Sequence, residues 1–478
     1  MKYTPAQRAA IDCRDRSVFL SAAAGSGKTA VLTARVIAAL TDAKKPTSLS
    51  RLLAVTFTES AALEMRSRIG RALAEKLREG GDGAENAALS RELRLLPVAD
   101  ISTIDAFCHK LLRRYGTHIV PEGFRVTDAA EAEGYRAELM EKTLSAGYAG
   151  RIPGLSKEDF SRLSDAVTGF SGERSLGEVL LGLYEKLSTY ERGVASLDDY
   201  AARYRAEAER PVFGTTFGHL FAERIRTTVG PAARQLLTEF AANVYPNEAA
   251  LGDYLPAIAR AWTPALTELT APTDYESTRA ACLYTVPRLT STGRTPACKE
   301  YLKNGGIKDL IRQFGEILTD ALGGKPDPAA PPPLLTYREA DWHALYADLA
   351  EVLTGLARTL TAFDRRYFED SRRRRAFDFQ QLTRAAHDLL MDADGTPTEV
   401  ARRLAEQYDM VAVDEYQDVS PLQNAIFEAV SKPDNRFFVG DIKQSIYRFR
   451  HAEPDIFAAL RNDYPPLPYD ETSGEVHP

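Results

Sequence analysis

Only four cysteines occur in the 478 residues, Cys13, Cys108, Cys282 and Cys298, and none stands in C-x-x-C spacing. That scarcity argues against a disulfide framework and against a cysteine-built zinc site, and it fits a reducing cytoplasm. No apolar run approaches the ~20 residues of a membrane-spanning helix. The opening MKYTPAQRAAID carries no apolar signal-peptide core. A basic excess is missing too, since 60 Lys and Arg stand against 67 Asp and Glu, a net charge of −7. A globally basic nucleic-acid binder is thereby excluded, whereas a local basic groove is not. The middle of the chain, roughly 114–365, lacks strand-like alternation and any internal repeat.

What remains is an ordinary globular composition, 44% hydrophobic and 27% charged, long enough for two or three domains. Short apolar runs bounded by turn residues read as buried parallel strands: SVFLS (17–21), RLLAVTF (51–57), VADIST (98–103), YDMVAVD (408–414) and NRFFVGD (435–441). Helical patterns alternate with them, and between 114 and 365 helical periodicity dominates. A Pro-rich connector, GGKPDPAAPPPLL, lies within that stretch. The expected fold class is therefore α/β, a parallel sheet interrupted by a large, mostly α-helical insertion.

SAAAGSGKT, Ser21 to Thr29, falls where a strand meets a helix. That is the context of a phosphate-binding loop. Gly25 and Gly27 let the backbone approach anionic oxygens, and the following helix N-terminus completes an anion cradle with Ala22, Ala23, Ala24 and Ser26. The strict pattern begins with Gly where this chain has Ala22. Lys28 is placed to reach β/γ-phosphate oxygens and the Thr29 hydroxyl to bind Mg²⁺. Far downstream, VAVDEYQDVSPLQ ends an apolar strand in Asp414-Glu415. Carboxylates at the carboxyl end of a parallel strand lie in the crevice where ligands bind. Asp414 is expected to hold Mg²⁺, and Glu415 to orient and deprotonate an attacking water.

Taken together, the motifs resemble the first motor domain of superfamily-one DNA helicases of the UvrD, Rep and RecB type, and most of all the A subunit of AddAB helicase–nucleases. YTPAQRAAI (3–11) is similar to that family's adenine-reading motif, and SAAAGSGKTAVLTARV to its phosphate loop, initial Ala included. AVTFTESAALEM, ISTIDAFC, FRVTDAAEA, FDFQQL, DEYQDVSPLQ and VGDIKQSIYRFR follow in family order. Glu59-Ser60 stands where Asn-Lys is usual, and FDFQQL where F-D-F-D-D-L is commoner. The resemblance implies a RecA-like P-loop motor that uses ATP and Mg²⁺ to translocate on single-stranded DNA and unwind duplex, in double-strand-break repair and recombination. It implies Gln7 as adenine reader, Arg35 as a further nucleotide contact and Gln444 as a γ-phosphate sensor. It puts Phe57, Thr58, Thr103, Tyr447, Phe449 and Arg450 on the DNA side, where aromatic stacking and arginine–phosphate contacts tolerate any sequence. It also implies a partner, the second protein of such complexes, of AddB type.

The domains expected on this basis are 1–113 and 366–462 as two parts of one motor domain, 114–365 as the insertion, and 463–478 as a loop. Arginine-bearing motifs of a second motor domain and a cysteine-ligated iron–sulfur nuclease are missing, so the chain is expected to be the N-terminal part of a longer protein. The alternative is a module that binds nucleotide and DNA without turnover. Phe57, Tyr447 and Phe449 also read as core aromatics, and SRRRRAF (371–377) as a solvated helix face. Cys108-His109 has no third partner nearby in sequence, which argues against a Cys–His nucleophile.

Overall fold

The computed structural model describes residues 3–23, 25–42, 46–80, 83–171, 174–284, 294–304, 306–441, 454–472 and 476. Five apolar segments form one all-parallel sheet: β1 (Val18–Ser21), β2 (Leu52–Thr56), β3 (Asp100–Thr103), β6 (Met410–Val413) and β7 (Arg436–Gly440). They are the five strands expected from sequence. Two-residue strands β4 (Arg125–Val126) and β5 (Ala376–Phe377) pair with each other as a separate parallel ladder. These were not legible as strands, because two residues carry no periodicity.

The order across the large sheet is β1-β7-β6-β2-β3. Leu20 stands opposite Val439, Val55 opposite Val413, and Ala54 opposite both Ala412 and Ile101. Every residue of β2 and β6 is buried, as expected of strands covered on both faces. Alternate residues feed two cores. Leu53, Val55, Val411, Val413 and Phe438 pack with Phe107, Leu111 and Leu389. Leu52, Ala54, Ala412, Phe437 and Val439 pack with Val31, Val36, Met65 and Ile69. Because all strands run parallel, their carboxyl ends share one edge, where the loops after Ser21, Thr56, Thr103, Val413 and Gly440 emerge.

The chain divides into two compact units, Met1–Ser196 with Arg358–Pro478, and Leu197–Ala357. Among the described residues the second carries helices and no strand, with its own core around Phe240, Trp262, Tyr275 and Phe314. The helices Ala129–Tyr148 and Leu176–Leu187, within the stretch 114–365, lie in the first unit. Tyr184 Oη donates to Asp364 Oδ1 at 2.6 Å, and Arg136 pairs with Asp378 at 3.2 Å. Arg384 donates to the carbonyls of Ser188, Tyr190 and Glu191. Periodicity announces a helix but not which core it joins.

Candidate nucleotide site at the carboxyl edge of the sheet

β1 hands its backbone directly to the glycine loop. Ala22 N donates to Gly440 O at 3.1 Å, extending the β1–β7 ladder by one bond. Gly25 and Gly27 then turn at φ +72° and +83°, values that glycine adopts without the penalty of a Cβ. The helix Lys28–Leu40 begins at Gly27 with no side-chain cap. Its first-turn N–H groups are therefore left for something else to satisfy. Two further groups in the loop share that state: Ser26 Oγ and Lys28 Nζ are buried and accept or donate no hydrogen bond among the described residues.

The opposite wall comes from β6. Asp414 N donates to Val55 O at 2.9 Å, which fixes the carboxylate at the strand's exit. Thr29 Oγ1 donates to Asp414 Oδ2 at 2.7 Å across a sequence separation of 385 residues. Glu415 follows at φ +51°, a left-handed conformation rare outside glycine, and its N–H donates to Asp414 Oδ1 at 3.0 Å. Glu415 Oε2 lies 3.6 Å from Lys28 Nζ, too long for a hydrogen bond. Burial pushes the Asp414 carboxyl above the usual carboxylate range, and the Thr29 bond offsets this in part. Burial, then the Glu415 charge, pushes Asp418 up to about 6.

These residues fit a nucleotide with a divalent cation. A buried ammonium without a hydrogen bond, a buried hydroxyl without one and a glycine-lined helix start are complementary to phosphate oxygens. A hydroxyl and a carboxylate in mutual contact, all-oxygen donors, suit Mg²⁺, and Thr29 and Asp414 would hold it. A bound cation also reverses the burial penalty on Asp414.

Gln7 is brought to the same loop. Its helix, Pro5–Asp12, opens with a capping box in which Thr4 N donates to Gln7 Oε1 at 2.9 Å. Gln7 Nε2 donates to Ser26 O at 2.8 Å. Arg35 departs from expectation. It is 4% exposed, donates to Ala10 O and stacks over the Phe437 ring at 4.5 Å. It lines a cavity with Met410 and Asn435, at the amino end of the sheet. Desolvation brings its guanidinium down to about 10. Seven residues past Lys28, it shares that residue's helix face but lies two turns along the axis.

Thr103 ends β3 opposite Thr56, and Thr58 lies two residues past the end of β2; both Thr58 and Thr103 hydroxyls cap helices, accepting from Ala61 N at 3.1 Å and Ala106 N at 3.2 Å. Phe57 is half-buried beside them. Ala24, Gln444, Tyr447, Phe449 and Arg450 lie outside the described residues. In the basic run, Arg374 pairs with Glu131 and Arg373 with Asp370. One residue of the acidic loop went unremarked in the sequence: Gln417, 1% exposed, bonds to both Glu415 and Asp418. Its signal was an amide between two acids, in DEYQD.

The family model of the UvrD/REP helicase N-terminal domain matches residues 3–177 and 343–465. Three relatives are each the A subunit of an ATP-dependent helicase/nuclease. The one from Moorella thermoacetica is 34% identical over 97% of this chain and 32% of its own length. That from Desulforamulus reducens is 32% identical over 97% of this chain and 36% of its own. That from Levilactobacillus brevis is 31% identical over 99% and 36%. The chain thus spans about a third of the length of the curated relatives it matches.

Proposed function

The chain belongs to the UvrD/REP helicase N-terminal domain family, and from that premise we propose that it is the RecA-like P-loop portion of an ATP-driven DNA motor, of the kind that forms the A subunit of helicase–nucleases. Lys28 and the loop Ala22–Thr29 bind the triphosphate. Thr29 and Asp414 hold Mg²⁺, whose charge neutralises the β- and γ-phosphate oxygens. Glu415 orients and deprotonates the attacking water, Gln7 reads adenine and Gln444 faces the γ-phosphate. Arg35 has no part in the site and serves the fold.

DNA is bound along the carboxyl edge by Phe57, Thr58, Thr103, Tyr447, Phe449 and Arg450. Since the hydroxyls of Thr58 and Thr103 are used as caps, these two act mainly through the helix starts they organise, which favour phosphate. The helical stretch within 114–365 is an insertion into the motor domain, serving duplex DNA or a partner protein of AddB type. The setting is the repair of double-strand breaks in the cytoplasm.

One observation carries the nucleotide reading: the buried Lys28 ammonium, without a hydrogen bond, beside the Thr29–Asp414 pair. The test is ATP hydrolysis with and without single-stranded DNA, in the wild type and in Lys28→Ala. Stimulated hydrolysis that collapses in the variant supports the reading, and equal rates refute it. A second reading, binding without turnover, is favoured by one feature. Among the described residues the cation paired with Glu415 is Lys28, and phosphoryl transfer gains greatly from an arginine at the transferred group as well. Tight nucleotide binding with negligible hydrolysis selects it.

A further inference from the structure

Lys28 and Arg35, 8% and 4% exposed, are the most buried lysine and arginine among the described residues. Both stand on the helix Lys28–Leu40. Each keeps a buried nitrogen with no hydrogen-bond partner there, Nζ of Lys28 and Nε of Arg35. The first faces the glycine loop at the carboxyl edge of the sheet. The second lies two turns along, at the amino end, on a cavity shared with the start of β6 and the residue before β7.

Elsewhere the fold meets a guanidinium that it takes from water. Arg66 donates to the carbonyls of Leu96, Pro97 and Ile101 at 3.2, 2.7 and 2.6 Å. Arg384 donates to three carbonyls, and Arg136 pairs with Asp378 and Glu185. Arg35 has one carbonyl, that of Ala10, and one ring face, that of Phe437. Among the described residues no carboxylate forms an ion pair with it. Asp409, on the same cavity, is taken by Arg51 through two bonds of 2.7 Å and by Thr47 Oγ1 at 2.8 Å. Asp42 is taken by Arg14. A buried charge without a counter-charge is costly.

The cavity measures about 140 Å³ and is lined also by Arg14, Thr47, Lys432 and Asp434. At roughly 10–15 Å³ for each water, it has room for several waters or for one tetrahedral oxyanion, not for a nucleotide. The charges on its wall favour the anion. With Asp409 and Arg14 already paired, Arg35 and Lys432 face the exposed Asp434 alone. A guanidinium and an ammonium together suit the oxygens of phosphate. Desolvation brings the Arg35 guanidinium down, and an anion beside it would act in the opposite sense.

We propose that this cavity binds a small tetrahedral oxyanion, inorganic phosphate or sulfate, between Arg35 Nε–H and the Lys432 ammonium. The site is separate from the glycine loop and does not depend on how that loop is used. Its occupant neutralises the buried guanidinium and so stabilises the fold.

The experiment follows urea unfolding of the 478-residue chain carrying Lys28→Met, which removes the glycine-loop ammonium as a competing phosphate site. Sodium phosphate, sodium sulfate and sodium chloride are each titrated through the millimolar range at neutral pH and constant ionic strength. At 10 times its Kd, phosphate or sulfate is expected to raise the folded-to-unfolded ratio about 11-fold, with saturation, and chloride is expected to leave it unchanged. Arg35→Gln, which removes the charge, is expected to abolish the saturable response. Lys432→Ala, in a partly exposed turn, is expected to raise the Kd about 10-fold, the worth of one hydrogen bond to a charged group. If Arg35→Gln does not fold, Lys432→Ala decides. If Lys28→Met does not fold, the same variants are compared in the wild-type background, since neither alters the glycine loop. A response to phosphate alone, or to sulfate as well, supports the proposal and tells which anion the site takes. An equal response to all three salts overturns it and leaves water as the occupant, and an unchanged Kd in either folded variant overturns it too.

Discussion

Replacing Lys28 by Met separates a functional ammonium from a structural one, because the two predict opposite signs of stability. In the folded chain the Lys28 side chain is 7% exposed and its one ion-pair neighbour among the described residues, Glu415, lies 3.6 Å away. At an effective dielectric of 20 that pair is worth about 4–5 kcal/mol before screening. Glu415 is 37% exposed, so water reduces this to about 1–2 kcal/mol. Against it stands the desolvation of the ammonium, several kcal/mol per buried ion and not offset here by any hydrogen bond. Methionine has a similar length and no charge to desolvate. Glu415 is not stranded by the change, since Gln417 still donates to it. Lys28→Met should therefore leave the ligand-free protein unchanged or stabilise it by up to about 2 kcal/mol. The assay is urea unfolding of both proteins, without nucleotide and then with Mg²⁺–ATP analogue. At 100 times its Kd the analogue adds about 2.7 kcal/mol to the wild type, and it should add nothing to the variant. A ligand-free variant destabilised by more than about 2 kcal/mol would refute the reasoning, for the lysine would then be part of the fold.

Two further outcomes follow from individual residues. Asp418 has its carboxyl raised to about 6, so the folded state holds a proton that the unfolded state has already lost between about pH 4 and 6. The associated stability is present below pH 4 and lost as pH rises through 6. Asp418→Asn should remove this loss, about 1–3 kcal/mol, as read by denaturant unfolding at pH 4.5 and 7; parallel pH profiles for the two proteins would contradict it. In the second unit, a Cβ on Gly218 would sit 1.8 Å from the Val212 carbonyl oxygen. Gly218→Ala should cost at least the 1–3 kcal/mol of an overpacked core, seen as a lower melting temperature of a chain carrying that unit, and an unchanged one would show that the turn yields freely.

Local chemistry made much of this legible. Gly25 and Gly27 announced a loop whose backbone can approach an anion, and in the fold both turn at positive φ. Thr29 and Asp414 were named as cation ligands on residue type and strand context, and the fold brings them into hydrogen-bond contact. Arg35, which the resemblance implied as a nucleotide contact, lies two turns along the helix from Lys28 and bonds to Ala10 O. Gln417 stayed hidden because an amide beside two acids looks like solvated surface until the exit of β7 is laid against it. The first unit's hold on residues 129–187 depends on tertiary bonds such as Tyr184 to Asp364, which no window of sequence contains.

The position of β1 has a consequence for how the protein is made. Among the described residues its partner in the sheet is β7, so after leaving the ribosome it waits through the synthesis of most of this chain. The 385 residues between Thr29 and Asp414 take roughly 20–80 s to synthesise. Throughout that interval the apolar segment Val18–Ser21 lacks the strand it pairs with in the fold, a liability for misassociation. β2 and β3 can pair early, β6 and β7 can join them only late, and the glycine loop is the last part to be seated. A nascent chain stalled short of Gly440 would hold the glycine loop without the carbonyl that Ala22 N bonds to. Seating of the loop thus waits until translation has passed β7, a delay written into the order of the strands.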